Sequence, residues 1–316
     1  TSSGMAAITA VLFGICNSGD HIIGSDQLYG RTLRLLQNDL PRFGVKTSFV
    51  DTTSSKNVAA AIKPNTRLVM IELISNPTLR IADLEGISEI CKSKNILLVV
   101  DNTFTTPQAV RPLSKGANIV IHSITKMLAG HSDVTLGYVC SNSAELRQKI
   151  YDYSVTIGNT PSPFECWLAE RGLSTFEVRF KKSQETARKL ASWLEERPEI
   201  TQVLYPTNTK HPDIINSKNL IGNNGCNMVS FKINGDRTTA NIFAKSANHI
   251  SFAPTLGDIG TTLSHPASSS HRGLTQQERE SLGISEGFFR VSVGLECFES
   301  LKVIFERALQ AVQSST

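Results

Sequence analysis

The chain has 316 residues, of which 40% are hydrophobic and 19% are charged, a composition typical of a globular protein with one large domain or two. The net charge is only +4 at pH 7, and the Lys and Arg residues are scattered, so nothing predicts nucleic acid or a membrane as a partner. No apolar run is long enough to cross a bilayer.

The first half of the chain alternates between helical and strand patterns. Periodicity and residue type predict helices at 6–13, 31–40, 56–62 and 84–94, and strands at 21–25, 45–51, 67–73, 96–100, 117–122 and, as an antiparallel edge, 136–140. Strands separated by helices are typical of a mostly parallel sheet covered by helices on both faces. The predicted fold class is therefore α/β.

The second half has a different pattern. Helices are predicted at 150–172, with a break at 161–163, and at 176–197, a long amphipathic helix that ends at Pro198. Short strands at 203–205, 228–233, 249–253 and 286–293 and helices at 238–246 and 299–312 follow. We therefore predict a first domain over 1–172 and a smaller α+β domain over 173–316, which begins with the long connecting helix.

Polar residues follow three consecutive strands of the predicted parallel sheet. Asn76 follows one strand, Asp101 ends the next, and Ser123 and Lys126 come after the third. Because open α/β sheets bind their ligands at the carboxyl ends of the strands, we expect these side chains to line one crevice.

The stretch 119–127 carries the strongest chemical signal. Its buried strand is followed by two hydroxyls, on Ser123 and Thr125, and then by Lys126, an amine that must be paired or used if it is buried. The hydroxyls suit a phosphate and the lysine suits a carbonyl, a pairing that fits pyridoxal phosphate. The alternative is a lysine that extends to the surface beside ordinary loop hydroxyls.

The amino-terminal residues predict an anion site. Small residues at Ser3 and Gly4 precede an apolar helix, and backbone N–H groups at such a helix start can bind an anion. The alternative is an ordinary N-cap. An apolar helix at the very start of a chain is unusual, so we also expect a segment before Thr1.

The cysteines predict a reducing compartment. The six residues are widely spaced and form no Cys-x-x-Cys motif, so we expect free thiols in the cytoplasm. Scattered His residues argue against a structural zinc site, and no metal ligand is assigned. The cysteines are Cys16, Cys91, Cys140, Cys166, Cys226 and Cys297.

Short motifs spread over the whole chain, in a fixed order, carry a family resemblance. They are Ser2-Ser-Gly-Met5, Asp26-Gln-Leu-Tyr-Gly30, Ser75-Asn-Pro77, Val99-Val-Asp-Asn-Thr-Phe104, His122-Ser-Ile-Thr-Lys126, His131-Ser-Asp133, Arg171-Gly172, His265-Pro-Ala267 and Phe289-Arg-Val-Ser-Val-Gly294. In these the sequence resembles the Cys/Met metabolism family of pyridoxal-phosphate enzymes, the group of cystathionine and methionine γ-lyases, cystathionine synthases and O-acylhomoserine sulfhydrylases.

The resemblance implies a fold-type I enzyme, with 1–172 as the cofactor-binding domain. It implies that Lys126 bonds covalently to the cofactor aldehyde and then acts as a base, and that Asp101 keeps the pyridine nitrogen protonated. Tyr29 would stack on the ring and exchange a proton with the leaving group. The alternatives are a helix-capping Asp101 and a core tyrosine at Tyr29.

The resemblance also implies the remaining site residues. Asn76 would reach the phenolic oxygen of the cofactor, and Arg290 would grip the substrate carboxylate, with Asn76 and Thr255 as further substrate contacts. The alternative for Arg290 is a surface salt bridge. The phosphate would be held by Ser3, Gly4, Met5, Ser123 and Thr125.

The implied function is γ-elimination on a sulfur-containing amino acid, as in methionine and cystathionine γ-lyases. The alternative is γ-replacement on O-acetyl- or O-succinylhomoserine, and a more remote one is a catalytically silent member that serves as a binding module. The resemblance also implies a homodimer with shared active sites, assembled into a tetramer, in which a Tyr and an Arg preceding the Ser-Ser-Gly-Met motif reach the partner's phosphate.

Four positions depart from the family pattern. Met127 replaces an aromatic residue, Arg31 a small one, and Thr255 a Ser or Asn. Pro254 stands where cystathionine-handling relatives carry a Glu suited to the distal ammonium of that substrate. We therefore expect cystathionine not to be the preferred substrate.

Overall fold

The computed structural model describes residues 1–314. Its contacts divide the chain into two compact units. Unit 1 comprises residues 1–76, 80–174 and 212–223, and unit 2 comprises residues 77–79, 175–211 and 224 onwards.

A six-stranded sheet forms the centre of unit 1. Its strands are β1 His21–Ser25, β2 Lys46–Val50, β3 Thr66–Glu72, β4 Leu97–Asp101, β5 Ile119–Ser123 and β6 Gly137–Ser141. They lie in the order β2-β1-β3-β4-β5-β6. The first five are parallel and β6 is the antiparallel edge, so the predicted mostly parallel sheet is confirmed.

Helices cover this sheet because its central strands are apolar on both faces. Met70, Val99 and Ile121 pack with the first helix on one face, while Val69 and Val100 are fully buried on the other. The helices of this unit are α1 Gly4–Ile15, α2 Gly30–Arg34, α3 Ser55–Ala61, α4 Leu84–Lys94, α5 Thr106–Ala109, α6 Ala144–Thr156, α7 Pro163–Leu173 and, from the later segment, the helix Ile214–Ile221.

Unit 2 is built on a five-stranded mixed sheet and a long helix, α8 Phe176–Glu195. Its strands are β7 Ile200–Leu204, β8 Met228–Ile233, β9 Ser251–Phe252, β10 Thr262–Ser264 and β11 Phe288–Ser292, in the order β7-β8-β11-β10-β9. The helix Ile214–Ile221 of unit 1 is α9. The further helices of unit 2 are α10 Arg237–Ser246, α11 Gln276–Ser281 and α12 Phe298–Gln313. In its core the ring of Phe231 packs edge to face against the rings of Phe243 and Phe305.

The predicted helix at 31–40 is not one regular α-helix, because α2 ends at Arg34. After α2 the chain makes a π-helical turn at Leu35–Asp39 and a 3-10 turn at Leu40–Phe43. Pro41 has no N–H to continue an α-helical ladder, and the turn ends at Gly44, whose φ is +81°, a conformation that favours glycine.

The helix α9 was not predicted, because it is short and its apolar residues stand only at its two ends, without a helical period. Polar contacts hold it in unit 1. Asp213 at its amino end pairs with Arg80 at 2.7 Å, and Asn216 donates to the carbonyls of Thr53 and Ile81 at 2.8 and 2.9 Å. Such long-range contacts leave no local pattern in the sequence.

Candidate active site

The start of α1 presents unused backbone donors. Ser3 is the N-cap, and its Oγ accepts from the Ala6 N–H at 3.0 Å. The N–H groups of Gly4 and Met5 meet no acceptor within residues 1–314, as is usual for a first helical turn that awaits an anion. These amides are the predicted phosphate donors.

Ser123, at the end of β5, faces this helix start directly. A Cβ added at Gly4 would lie 2.7 Å from the Ser123 Cβ and 2.9 Å from its Oγ, so only glycine allows this approach. The Ser123 N–H donates to Thr103 Oγ1 at 2.8 Å, which fixes the strand end. The geometry brings together two predicted phosphate contacts, the amide of Gly4 and the hydroxyl of Ser123.

Thr125 and Lys126 lie in the turn that follows β5. The Thr125 hydroxyl donates to the Leu136 carbonyl at 3.2 Å and accepts from the Leu136 N–H at 3.0 Å, so it anchors this turn to the loop that precedes β6. The Lys126 N–H donates to the Ser123 carbonyl at 3.2 Å, and its side chain is half-buried. The turn thus holds Lys126 beside the Ser123 end of the crevice.

Two carboxylates meet at the ends of the central strands. Asp101 is 8% exposed and is paired in register with Glu72 across β3 and β4. Asp101 accepts from the Thr103 N–H at 3.0 Å and caps no helix. Glu72 accepts from the Tyr29 N–H at 2.6 Å, and the Tyr29 side chain is 48% exposed, so Tyr29 is not a core residue.

Burial raises the pKa of Asp101, although its hydrogen bonds from Thr103 oppose this shift. Burial, and next the charge of Asp101, raise the pKa of Glu72 well above its usual range. Glu72 therefore holds a proton more readily than an ordinary carboxyl group, and a positively charged partner would favour the ionised form of Asp101. No ion pair to either residue is formed within residues 1–314. A protonated ring nitrogen is a group that this buried charge can hold.

Glu72 was not predicted as a site residue. It stands at the end of a strand, directly opposite Asp101 in register, but in the sequence it precedes an apolar Leu-Ile pair and is included in the predicted strand. Alignment of the strand ends was the signal that could have identified it.

Asn76 lies after β3, in unit 1. Next to it, the Ser75 hydroxyl donates to Gln27 Oε1 at 3.1 Å and accepts from the Arg80 N–H at 3.0 Å. Gln27 belongs to the segment that leads to Tyr29. The chain around Asn76 is therefore tied to the chain around Tyr29.

Arg290 and Thr255 lie in unit 2. Arg290 is 3% exposed, so it forms no surface salt bridge, and its Nη2 donates to the Pro254 and Thr255 carbonyls at 3.2 and 2.7 Å. Burial lowers the pKa of Arg290 to about 10, which leaves the guanidinium charged at neutral pH. Thr255 thus contacts Arg290 through its backbone.

Three further findings concern the chain as far as it is described, through residue 314. No helix there is long and apolar enough to cross a membrane, and no cluster of three or more His, Cys, Asp or Glu side chains could hold a metal ion. All six cysteines are free thiols, as predicted.

Comparisons with known proteins show which family and which relatives this chain is similar to. A family model for Cys/Met metabolism PLP-dependent enzymes matches residues 1–310. The chain is 40% identical to cystathionine γ-lyase of Bacillus subtilis over 311 residues, which cover 98% of this chain and 81% of that protein. It is 38% identical to L-methionine γ-lyase of Fusobacterium nucleatum subsp. polymorphum, covering 99% and 79%.

One further relative and one solved structure are also similar to this chain. O-succinylhomoserine sulfhydrylase of Pseudomonas aeruginosa is 36% identical, with 99% of this chain and 77% of that protein covered. A crystal structure of cystathionine γ-lyase from Lactobacillus plantarum, complexed with L-serine, superposes with a TM-score of 0.93 at 33% identity, covering 99% of this chain and 81% of that one.

Proposed function

Because the chain belongs to the family of Cys/Met metabolism PLP-dependent enzymes, we propose that it eliminates the γ-substituent from a sulfur-containing amino acid. The predicted family, the fold-type I α/β architecture, the enzymatic nature and the pyridoxal phosphate cofactor are confirmed by this membership. The observation that carries the proposal is the line of contacts Tyr29–Glu72–Asp101–Thr103–Ser123–Gly4 beside Lys126.

We propose that this line holds the cofactor. The phosphate would accept from the Gly4 and Met5 amides and the Ser123 hydroxyl, at the helix start capped by Ser3 and beside the turn anchored by Thr125. Asp101 would pair with the ring nitrogen, Asn76 would donate to the phenolic oxygen, and Tyr29 would stack on the ring. Lys126 would bond to the aldehyde carbon.

The bound cofactor supplies an electron sink for negative charge that develops on the substrate carbons. In the proposed reaction Lys126 removes the Cα proton and carries protons between the substrate carbons. Tyr29 gives a proton to the departing sulfur, and Arg290 binds the substrate carboxylate. Elimination ends, after hydrolysis, as a 2-oxo acid, ammonia and a thiol.

The alternative is γ-replacement on O-acetyl- or O-succinylhomoserine, in which a thiol adds where the γ-group has left. The similarity to an O-succinylhomoserine sulfhydrylase supports it. The same residues serve both outcomes, since each requires loss of the γ-group. A catalytically silent member is less well supported, because Lys126, Asp101 and Tyr29 are all present.

We also propose that the enzyme works in the cytoplasm as a homodimer with shared active sites, assembled further into a tetramer. The six free thiols are consistent with a reducing compartment. Large exposed apolar side chains on β6, α6 and α7 of unit 1 favour a second copy as their cover. They are Tyr138, Tyr151, Val155, Phe164, Trp167 and Leu173. The domain division at residues 172 and 173 stays a prediction.

Product analysis tests the proposed reaction. Purified protein with pyridoxal phosphate is incubated with methionine, with cystathionine, and with O-acetyl- and O-succinylhomoserine, each with and without sulfide. We expect 2-oxo acid from a sulfur amino acid without sulfide. New thioether or thiol amino acid formed only with sulfide would favour replacement instead. No product from any substrate, together with no visible absorbance that borohydride bleaches, would indicate a silent member.

A further inference from the structure

Asn159, in the loop between α6 and α7, bonds to both sides of the α1 start. Its Oδ1 accepts from the Ser2 N–H at 3.0 Å and from the Ser2 hydroxyl at 2.9 Å. Its Nδ2 donates to the Ala6 carbonyl at 3.1 Å. One side chain therefore spans residues 3–5, which include the two proposed phosphate donors, the amides of Gly4 and Met5.

The loop that carries Asn159 is itself fixed. The Asn159 N–H donates to the Ser154 carbonyl at 2.9 Å, and the Thr160 N–H donates to the Gly158 carbonyl at 2.8 Å. Gly158 has φ +67°, a left-handed conformation that lets the chain turn sharply after α6. The amide of Asn159 is thus held against α1 by the end of α6.

Small movements of the α1 start have large consequences, because the space around it is tight. Gly4 lies so close to Ser123 that even a methyl group would collide. On the other side, a Cβ on Gly137 would collide with the Ser3 carbonyl. Amides that bind an anion stabilise it only when they are held in the required direction beforehand.

We propose that Asn159 is a positioning residue that sets the direction of the Gly4 and Met5 amides toward the cofactor phosphate. The inference rests on the proposed function, since it takes the α1 start as the phosphate site. Asn159 touches neither the ring nor the substrate in this account. Its loss should therefore weaken the hold on the phosphate and leave the hold on the ring unchanged.

Pyridoxal, which lacks the phosphate, separates these two effects. Cofactor is removed from the protein, and pyridoxal phosphate and pyridoxal are titrated separately into wild type and Asn159→Ala by visible absorbance. We expect the affinity for pyridoxal phosphate to fall about tenfold, the effect of one or two lost hydrogen bonds, and that for pyridoxal to stay within about twofold of wild type. Inorganic phosphate should strengthen pyridoxal binding less in the variant than in wild type.

Asn65→Ala is the matched control. Asn65 also lies in unit 1 and donates to a backbone carbonyl, that of Gly19, at 2.7 Å, but at the opposite, amino-terminal edge of the sheet. The Asn65→Ala variant should keep the ratio of the affinity for pyridoxal phosphate to the affinity for pyridoxal at its wild-type value. If Asn159→Ala fails to fold, Ser2→Ala removes only the hydroxyl bond and should lower the ratio by a smaller factor.

Ser123→Ala distinguishes the two levels of the account. If Ser123→Ala lowers the ratio and neither Asn159→Ala nor Ser2→Ala does, the positioning role is wrong and the phosphate site stands. Equal losses of affinity for both ligands in the Asn159→Ala variant would also overturn the positioning role, because they would indicate a general loss of structure. If Ser123→Ala leaves the ratio unchanged as well, the proposed phosphate site itself is wrong.

Discussion

Asp101 is buried and Glu72 is half-buried at neighbouring strand ends, and neither carboxylate has a basic partner in residues 1–314. A carboxyl whose pKa is higher in the folded than in the unfolded protein binds its proton more tightly when folded. The cofactor-free enzyme therefore loses stability from this pair as the pH rises from the ordinary carboxyl range through the raised pKa of Glu72.

Glu72→Gln should relieve this cost, because the amide keeps the acceptor for the Tyr29 N–H and removes the charge. Without cofactor, we expect the free energy of unfolding of the variant to exceed that of wild type by about 1 kcal/mol at pH 8. The difference should be smaller at pH 5, where Glu72 is more fully protonated in wild type. Denaturant unfolding at both pH values measures this. A variant less stable than wild type at pH 8 would show that the Glu72 charge is already compensated.

Pro254 contributes no side-chain acceptor, and its carbonyl accepts from Arg290 Nη2, the proposed ligand of the substrate carboxylate. A second ammonium, as on cystathionine, would then be buried without a side-chain acceptor at residue 254. Methionine, homocysteine and O-acylhomoserines have no distal cation. We expect kcat/KM for at least one of them to exceed that for cystathionine, by about a hundredfold.

Pro254→Glu should narrow this gap by raising kcat/KM for cystathionine, and Pro254→Gln, which adds an acceptor without a charge, should narrow it less. Steady-state kinetics on both substrates decide the matter. If cystathionine is the best substrate of the wild-type enzyme, the interpretation of Pro254 is wrong, although the cofactor assignment stands.

Among the elements, α1 has the most demanding environment, because its first turn must lie against Ser123. Gly4→Ala places a methyl group 2.7 Å from the Ser123 Cβ, so either the helix start or the end of β5 must move. We expect at least a tenfold loss of affinity for pyridoxal phosphate, equivalent to about 1.4 kcal/mol. Titration of the cofactor-free variant measures this.

Gly14→Ala is the control within the same helix. A Cβ there lies 3.3 Å from the Lys149 carbonyl oxygen, a contact that a small shift of α6 can absorb, and it is remote from the first turn. Its affinity for pyridoxal phosphate should equal that of wild type. Normal binding by Gly4→Ala would mean that the α1 start does not form the phosphate site.

The elements of the sheet could be predicted because most of its strands contain a short run of apolar or β-branched residues between polar ones. Predicted strands at 21–25 and 228–233 coincide with β1 and β8, and the antiparallel edge at 136–140 is confirmed as β6. Helix α6 begins at Ala144, earlier than the predicted 150, because Ser143 caps a mostly polar first turn by accepting from the Leu146 N–H. The strand β10 and the helix α11 were not predicted, since both are short and mostly polar.

Much of the candidate site could also be predicted, because the strand-end rule identifies Asp101 and Ser123 without any tertiary information. Glu72 could not, since its partner Asp101 is 29 residues away in sequence and the pair is set by the register of β3 and β4. Asn159 could not either, because it acts on α1 across more than 150 residues. Neither residue belongs to a local motif.

For the whole molecule, exposed apolar side chains of unit 1 bear on assembly. Trp167 and Phe164 are 50% and 65% exposed and stack on each other at 6.1 Å, a pair that a second copy would bury. Trp167→Asp should therefore lower the mass in solution from that of the oligomer toward the monomer, as measured by sedimentation. Val303→Asp, at a 55% exposed position of unit 2, should leave the mass unchanged.

A wild-type protein that sediments as a monomer at micromolar concentration would contradict the proposed dimer. A wild-type oligomer that Trp167→Asp leaves intact would place the contact elsewhere on the surface. In that case the apolar side chains of α7 would need another explanation.

We propose that Lys126 binds pyridoxal phosphate covalently, and peptide mapping of the reduced enzyme is the sharpest test. Holoenzyme is reduced with borohydride, digested and analysed by mass spectrometry. We expect one pyridoxyl-phosphate modification per chain, on the peptide that contains Lys126. A modification on another lysine, or none on a protein that has bound the cofactor, would contradict it.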